Sequence, residues 1–334
     1  MKRFTTAVAT AALLVAVLPS AAAQATPTAT GTTAVGLHNS YVQATAPWLV
    51  DVLDRNPGMV ELDVWTNFFF SNDFQVGHDP GNANNCSNAT TYEGLRSGNR
   101  DQNLAGCLRN LKLWHDHNPN HAPLVVKVEM KNGFDGRGGF GVPRFDALLA
   151  STIGAANIFS PANLKGGYAD LDTAVQADGW PSRSALTGKF VVLVQNGTFE
   201  LGNPFDSYDT DLEVVDRLIA ANSTGTLASA LSFPSLIGAS ATDPRTDDRG
   251  GARKPWMVVF DGNASSFVGF GGAPYLGGKY LVLMTDAHNV PPAIDGHTPA
   301  VADAQARVRQ LGAIGATIVS SDWTSPDILS YTVN

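Results

Sequence analysis

Eight short apolar runs rich in β-branched residues punctuate this chain: Thr33–Asn39, Met59–Trp65, Phe74–His78, Leu124–Lys131, Lys189–Asn196, Pro255–Asp261, Lys279–Asp286 and Ala316–Asp322. Near-continuous apolar strands need cover on both faces, and parallel sheets wrapped by helices supply it. Helical spacing falls between several of the runs. Leu104, Leu108, Leu111 and His115 share one face; Leu212, Val215 and Leu218 share another with Ile219 beside them; Ala300–Leu311 forms a third, stopped by Gly312. Strands alternating with helices over 334 residues predict an α/β fold, a TIM-like (β/α)8 barrel of irregular outline, rather than an open sheet.

Polar residues collect at one end of these runs: His38, Asn39, Glu61, Asp63, His78, Glu129, Asp286 and Asp322. In parallel barrels the chemistry gathers at the carboxyl ends of the strands. Within Val60-Glu61-Leu62-Asp63-Val64 the side chains alternate, so the two carboxylates share one face and the aliphatic residues the other. Val126-Lys127-Val128-Glu129-Met130-Lys131 repeats the pattern, with Lys127, Glu129 and Lys131 on one face. Glu61, Asp63, Glu129 and the amide oxygen of Asn39 make an all-oxygen set suited to Ca2+. Zinc calls for more imidazole or thiolate. The competing reading puts these charges on a solvated strand edge, which requires three buried-looking runs to carry charge by coincidence. His38 and His78 suit proton transfer beside such an ion. His115, His117 and His121 read instead as a solvated helix end before a proline turn, His288 as a pocket candidate and His297 as loop.

Lys2 and Arg3 precede an apolar run from Ala7 to Leu18, and Ala21-Ala22-Ala23-Gln24-Ala25 offers A-x-A cleavage sites. Residues 1–25 therefore read as a secretory signal peptide and 26–334 as a single catalytic barrel, secreted and monomeric. No stretch is apolar enough to span a bilayer. The net charge of −8 becomes −10 without Lys2 and Arg3, which argues against nucleic acid and against tight docking on anionic lipid. Export permits a disulfide, and Cys86 and Cys107 are expected to form one across the Asn/Gly/Ser-rich stretch 81–103. Gly133–Gly141 reads as a lid over the barrel mouth or as a plain surface loop.

His38-Asn39-Ser40-Tyr41, Glu61-Leu62-Asp63-Val64-Trp65, the downstream Val76-Gly77-His78-Asp79-Pro80 and the Val126–Lys131 strand together resemble the catalytic barrel of phosphoinositide-specific phospholipase C. The likeness is closest to the secreted, calcium-dependent bacterial branch. It spans at least residues 33–131, and Ile318-Val319-Ser320-Ser321-Asp322-Trp323 resembles that branch's last strand. The resemblance implies His38 and His78 as the catalytic pair and Asn39, Glu61, Asp63 and Glu129 as the calcium ligands. Lys127 and Lys131 become candidates for phosphate contacts, Asp286 and Asp322 for ring hydroxyls. Leu37 departs from the small or hydroxylated residue usual before the first histidine. The implied reaction is attack of the inositol 2-hydroxyl on phosphorus, releasing diacylglycerol and a cyclic or open inositol phosphate, with only transient contact at a membrane surface. Phe68-Phe69-Phe70, Phe267 and Phe270 are the candidates for that contact. Rival readings are a glycerophosphodiester phosphodiesterase, which prefers Arg where Asn39 stands, and a non-catalytic secreted binding barrel. Glycoside hydrolysis by paired carboxylates leaves both histidines unexplained.

Overall fold

The apolar runs become strands β1 (Thr33–Leu37), β2 (Met59–Thr66), β3 (Phe74–Val76), β4 (Leu124–Met130), β5 (Phe190–Asn196), β6 (Ser232–Ile237), β7 (Val259–Asn263), β8 (Leu281–Thr285), β9 (Ile318–Ser321) and β10 (Thr332–Val333). The structure, a computed structural model, describes residues 1–2, 28–66, 73–81, 83–202, 208–273, 275 and 279–334. β1 pairs in parallel with both β9 and β2, which closes the sheet. The parallel strands β1, β2 and β4 to β9 form an eight-stranded barrel of the TIM type. β3 runs back antiparallel along the end of β2, and β10 lies antiparallel on the start of β1.

One expected stave is replaced by a strand that the apolar runs did not mark. The run Phe74–His78 is not a stave of the barrel but the returning arm of a hairpin. The missing stave is β6, whose sequence Ser232-Phe233-Pro234-Ser235-Leu236-Ile237 carries two serines and a proline in place of an apolar run. Pro234 offers no N–H, so this strand lacks one ladder donor. Lacing around the barrel is uneven. β4 pairs with β5 along its whole length, Leu124 to Met130, whereas β8 meets β9 only at Leu283 and Met284.

Helices α1 (Leu49–Leu53), α2 (Leu104–His117), α3 (Val142–Thr152), α4 (Pro161–Lys165), α5 (Leu171–Ala177), α6 (Thr210–Ser223), α7 (Ala264–Phe270), α8 (Val301–Gly312) and α9 (Pro326–Leu329) cover the outside. The three helical faces read from spacing are α2, α6 and α8. Leu104, Leu108 and Leu111 on α2 are fully buried, as are Val215 and Leu218 on α6. Between β6 and β7 the cover is reduced to two short 3-10 turns, Asp247–Arg249 and Lys254–Trp256, so the barrel is irregular as expected.

Cys86 and Cys107 are bonded, tying the 81–103 stretch to α2. Gly133–Gly141 is no free lid: Phe134 and Phe140 are buried and pack edge-on against Phe74. His115 and His121 are not solvated either. They are buried and share a 3.0 Å hydrogen bond between Nδ1 and Nε2, while His121 Nδ1 donates to the Ala122 carbonyl (2.6 Å). Only His117 faces solvent, stacked on Tyr92. Phe267 is core, and Phe270 is half-buried beside it at the end of α7 away from the mouth. Phe68-Phe69-Phe70 and the signal-peptide stretch lie outside the described residues.

Candidate active site

Strand alternation delivers the site. The register sets Glu61 beside Lys127, and Asp63 beside Glu129, which in turn neighbours Gln195 on β5. Glu61, Lys127, Glu129 and Gln195, with His38 after β1, Asp261 on β7 and Ser320 on β9, line a cavity of about 270 Å³ at the carboxyl ends of the strands, and Asp63 lies just outside that lining. Asn196, Thr198, Gly262, Asn263, Thr285 and Asp286 complete its polar wall, and Leu201 and Ile237 form its apolar edge.

Glu61, Asp63 and Glu129 converge so that one oxygen of each lies within 4.8 Å of the others. Glu61 and Asp63 are 1% and 2% exposed, so their charges have little water to screen them. Burial, then repulsion from Glu61 and Glu129, pushes Asp63 up to about 7 despite Lys131 beside it. Against its burial, Lys127 and His38 hold Glu61 below its usual range, so the shortage of positive charge is at Asp63, and a hard divalent ion supplies it. Asn39 completes the set. It takes a left-handed turn after β1 (φ 50°), and its N–H donates to Glu61 Oε2 (3.3 Å). Tyr41 donates to Asn39 Oδ1 (3.0 Å), fixing which way the amide oxygen points. The donor set is all oxygen, so these residues fit calcium.

Two lysines hold the carboxylates apart. Lys131 Nζ lies 2.9 Å from Glu129 Oε1, 3.3 Å from Asp63 Oδ2 and 3.0 Å from Thr198 Oγ1. Thr198 reaches Glu129 because Gly197 has no Cβ; one there would stand 2.3 Å from the Lys131 Cα. Lys127 is buried between Glu61 Oε1 (3.0 Å) and Asp261 Oδ2 (2.9 Å). The Gln195 amide turns its NH2 to Asp261 (2.8 Å) and its carbonyl to Lys127 (3.2 Å). Burial works against the Lys127 charge, but Asp261 and Glu61 more than offset it and hold the ammonium above its usual range. All three ammonium protons thus have partners inside the barrel, which leaves none for a phosphate.

His38 extends β1 at the level where Asp322 extends β9, and His38 Nδ1 donates to Asp322 Oδ1 at 2.8 Å. That bond leaves Nε2 facing the cavity, 3.8 Å from Glu61 Oε2. Burial opposes a charge on the ring, yet the Asp322 bond and the Glu61 and Asp322 charges prevail, raising His38 to about 9. In turn the His38 bond and charge outweigh burial at Asp322 and hold its carboxyl below the usual range.

The remaining expectations are placed as follows. His78 follows Gly77, whose N–H donates to the Asp63 carbonyl, so it sits beside the acidic strand. It lies outside the lining of the cavity, with its side chain 58% exposed and 3.6 Å from Asp79. Asp286 lines the cavity in a left-handed turn (φ 51°) and accepts from Asn263 Nδ2 (3.1 Å). His288 donates or accepts at Ser321 Oγ (2.9 Å), behind the cavity wall. Sequence reasoning missed Asp261, Gln195, Asn263, Thr198 and Ser320. Asp261 did carry a signal, as the polar stop of an apolar run; the amides and hydroxyls carried none.

A family model for Ca2+-dependent phosphoinositide phospholipase C matches residues 95–232. Among solved structures, a Ca2+-dependent phosphatidylinositol-specific phospholipase C from Streptomyces antibioticus is 42% identical, with a TM-score of 0.88 over 92% of this chain and 98% of that one. A calcium-dependent phosphoinositol-specific phospholipase C from a Gram-negative Pseudomonas sp. is 17% identical, with a TM-score of 0.66 over 91% of this chain and 92% of that one; at that identity it attests the fold alone. No curated protein matches the chain.

Proposed function

Because the chain belongs to the calcium-dependent phosphoinositide phospholipase C family, we propose that it cleaves phosphatidylinositol between phosphorus and the glycerol oxygen, with the ring 2-hydroxyl as nucleophile. The products are diacylglycerol and a cyclic or open inositol phosphate. The observation that carries this reading is the convergence of Glu61, Asp63 and Glu129 beneath His38 in a cavity otherwise lined by hydroxyl-binding groups. Family membership favours it over the diesterase and binding-barrel rivals.

Asn39, Glu61, Asp63 and Glu129 hold the calcium ion in this reading. When bound, calcium lowers the pKa of the attacking hydroxyl and offsets charge that develops on the phosphate. His38, protonated and aimed by Asp322, donates from Nε2 to a phosphate oxygen. The tethered 2-hydroxyl supplies its own proximity, so the chain need only orient the ring and receive the hydroxyl proton on a carboxylate of the calcium set as the new O–P bond forms. His78 protonates the departing glycerol oxygen. Its exposed position outside the cavity suits a leaving group that stays in the bilayer.

Asn263, Thr285, Asp286 and Ser320 suit ring hydroxyls, whereas Gln195 and Asp261 are occupied by Lys127 and by each other. Lys127 is the lysine in that lining and is fully engaged, so a ring phosphate would meet acidic side chains without a free cation. The headgroup is therefore plain inositol. Asp322 acts on His38 and not on the ring, and Lys131 is the residue poised for the phosphate once a calcium ion relieves it of Asp63 and Glu129.

Among the described residues with large apolar side chains, Phe199, Leu201, Tyr208 and Ile237 are exposed, and all follow β5 or end β6 at the mouth. They form the rim that touches lipid, transiently and without electrostatic help from a chain of negative net charge. Secretion with removal of residues 1–25, a single barrel over 26–334 and a monomeric state remain part of the proposal. No described helix is long and apolar enough to cross a membrane.

The test is hydrolysis of phosphatidylinositol vesicles with calcium and then with a calcium-selective chelator. Calcium-dependent release of diacylglycerol is expected. No turnover with calcium, or equal turnover of a bisphosphorylated headgroup, would overturn the activity or the headgroup assignment respectively.

A further inference from the structure

We propose that Asp261 is a positioning residue for calcium: by sharing Lys127 it keeps Glu61 negative enough to ligate the ion. The proposal rests on Glu61 being a calcium ligand, as above. Asp261 is itself no ligand, since among the described residues only Glu61, Asp63 and Glu129 converge. It enters from β7, across the barrel from β2, and is 3% exposed. A carboxylate in a barrel interior is costly unless paired, and apolar side chains would fill the same place more cheaply.

Its partner explains why it is there. Lys127 neighbours Glu61 in the β2–β4 register, and its Nζ lies 3.0 Å from Glu61 Oε1. Alone, that buried ammonium would neutralise Glu61 and leave a poor cation ligand. Asp261 at 2.9 Å draws the same ammonium the other way, and Gln195 bridges the two so that neither drifts. One positive charge is thereby divided between two carboxylates, and the set keeps a net negative charge on the cavity side. Lys127 takes Glu61 Oε1 only. Glu61 Oε2 is left out of that ion pair; it accepts from the Asn39 N–H at 3.3 Å and lies 3.8 Å from His38 Nε2. Support one step behind a metal ligand typically changes affinity ten- to a hundredfold when removed.

A purely structural ion pair predicts something else: loss of stability with calcium affinity untouched. Calcium titrations by calorimetry on wild type, Glu61→Gln, Asp261→Asn and Asp261→Asn/Lys127→Met separate the two, with each unfolding temperature measured in chelator. Asp261→Asn keeps the shape and is expected to weaken calcium binding about ten- to a hundredfold. Removing Lys127 as well returns Glu61 its full charge, so the double variant is expected to bind more tightly than Asp261→Asn. A wild-type affinity in Asp261→Asn, or a double variant no tighter than the single, overturns the charge sharing. If the double variant does not fold, the calcium dependence of Asp261→Asn hydrolysis decides. A raised half-saturating calcium with the maximal rate retained supports the proposal; an unchanged half-saturating calcium sinks it. Should Glu61→Gln bind calcium as wild type does, the ligand assignment itself fails, whatever Asp261→Asn does.

Discussion

Changing Asp322 to Asn asks whether His38 carries a proton at neutral pH. The amide has the same shape and can still accept from Nδ1, so the substitution removes charge and little else. A hydrogen bond to a charged partner contributes about 1.5–3 kcal/mol, and about 1.4 kcal/mol moves a pKa by one. Starting from about 9, His38 should therefore titrate between roughly 7 and 8 in the variant. Glu61 still supports the charge and burial still opposes it. The assay is an NMR titration of the imidazole Cε1–H signals in chelator, with His38 identified by the signal missing from His38→Gln. Stability follows the same proton. A histidine raised in the fold stabilises below its unfolded pKa, here 6.5, and loses that contribution as pH rises through about 9. With 43% of the side chain exposed, screening trims this to ~1 kcal/mol or less. In Asp322→Asn the loss should be complete at lower pH. At pH 7 half or more of His38 still carries its proton, so the rate should fall little there, and by about five- to fiftyfold at pH 9, where the protonated fraction drops. A His38 titration that does not move, or an undiminished rate at pH 9, would refute the pairing.

Three further outcomes are expected. Asp63→Asn removes one of three converging carboxylates, so calcium affinity measured by calorimetry should fall by about tenfold or more; an unchanged affinity would take Asp63 out of the ligand set. Cys86→Ser/Cys107→Ser opens a loop of sequence separation 21, worth about 3 kcal/mol by chain entropy and roughly 5 °C in scanning calorimetry. A drop below about 1 °C would mean the 81–103 stretch needs no tether. Phe199→Ser/Leu201→Ser should slow hydrolysis of vesicles about five- to thirtyfold, from ~1–2 kcal/mol of lost apolar contact, and leave a water-soluble inositol phosphodiester unaffected. Equal losses on both substrates would place these side chains in the chemistry and not at the lipid.

The charged half of the site was readable because strand geometry is periodic. Glu61 and Asp63 alternate with aliphatic residues, as do Lys127 and Glu129, and that pattern has few meanings inside an apolar run. The strand count came out at eight through two compensating errors. Phe74–His78 is apolar because it backs the aromatic cluster of Phe134 and Phe140, and Ser232–Ile237 hid its strand behind Pro234 and two serines. Composition cannot separate a hairpin arm from a barrel stave; only the pairing partner does. The histidines near 115–121 misled for a related reason. Spacing placed them at a helix end, but the turn through Pro119 folds His121 back onto His115 and buries both. Phe267 fails as a lipid contact because exposure is a tertiary property: it reads like Phe199 in sequence, yet one is core and the other half exposed.

The uneven lacing of the barrel divides the enzyme into a fixed end and an adjustable one. Every proposed calcium ligand except Asn39 stands on β2 or β4, in the stretch where neighbouring strands are paired along their length. The wall facing the inositol ring comes largely from β7 to β9, where pairing thins to Leu283 and Met284 between β8 and β9. A laboratory seeking a new headgroup preference should randomise Asn263, Thr285 and Asp286, the last pair of the β7–β8 ladder and the residue just past it, where a change leaves the rest of that ladder in place. The metal end would tolerate that search as long as Asp261 on β7 keeps its hold on Lys127, because β2 and β4 are laced to each other.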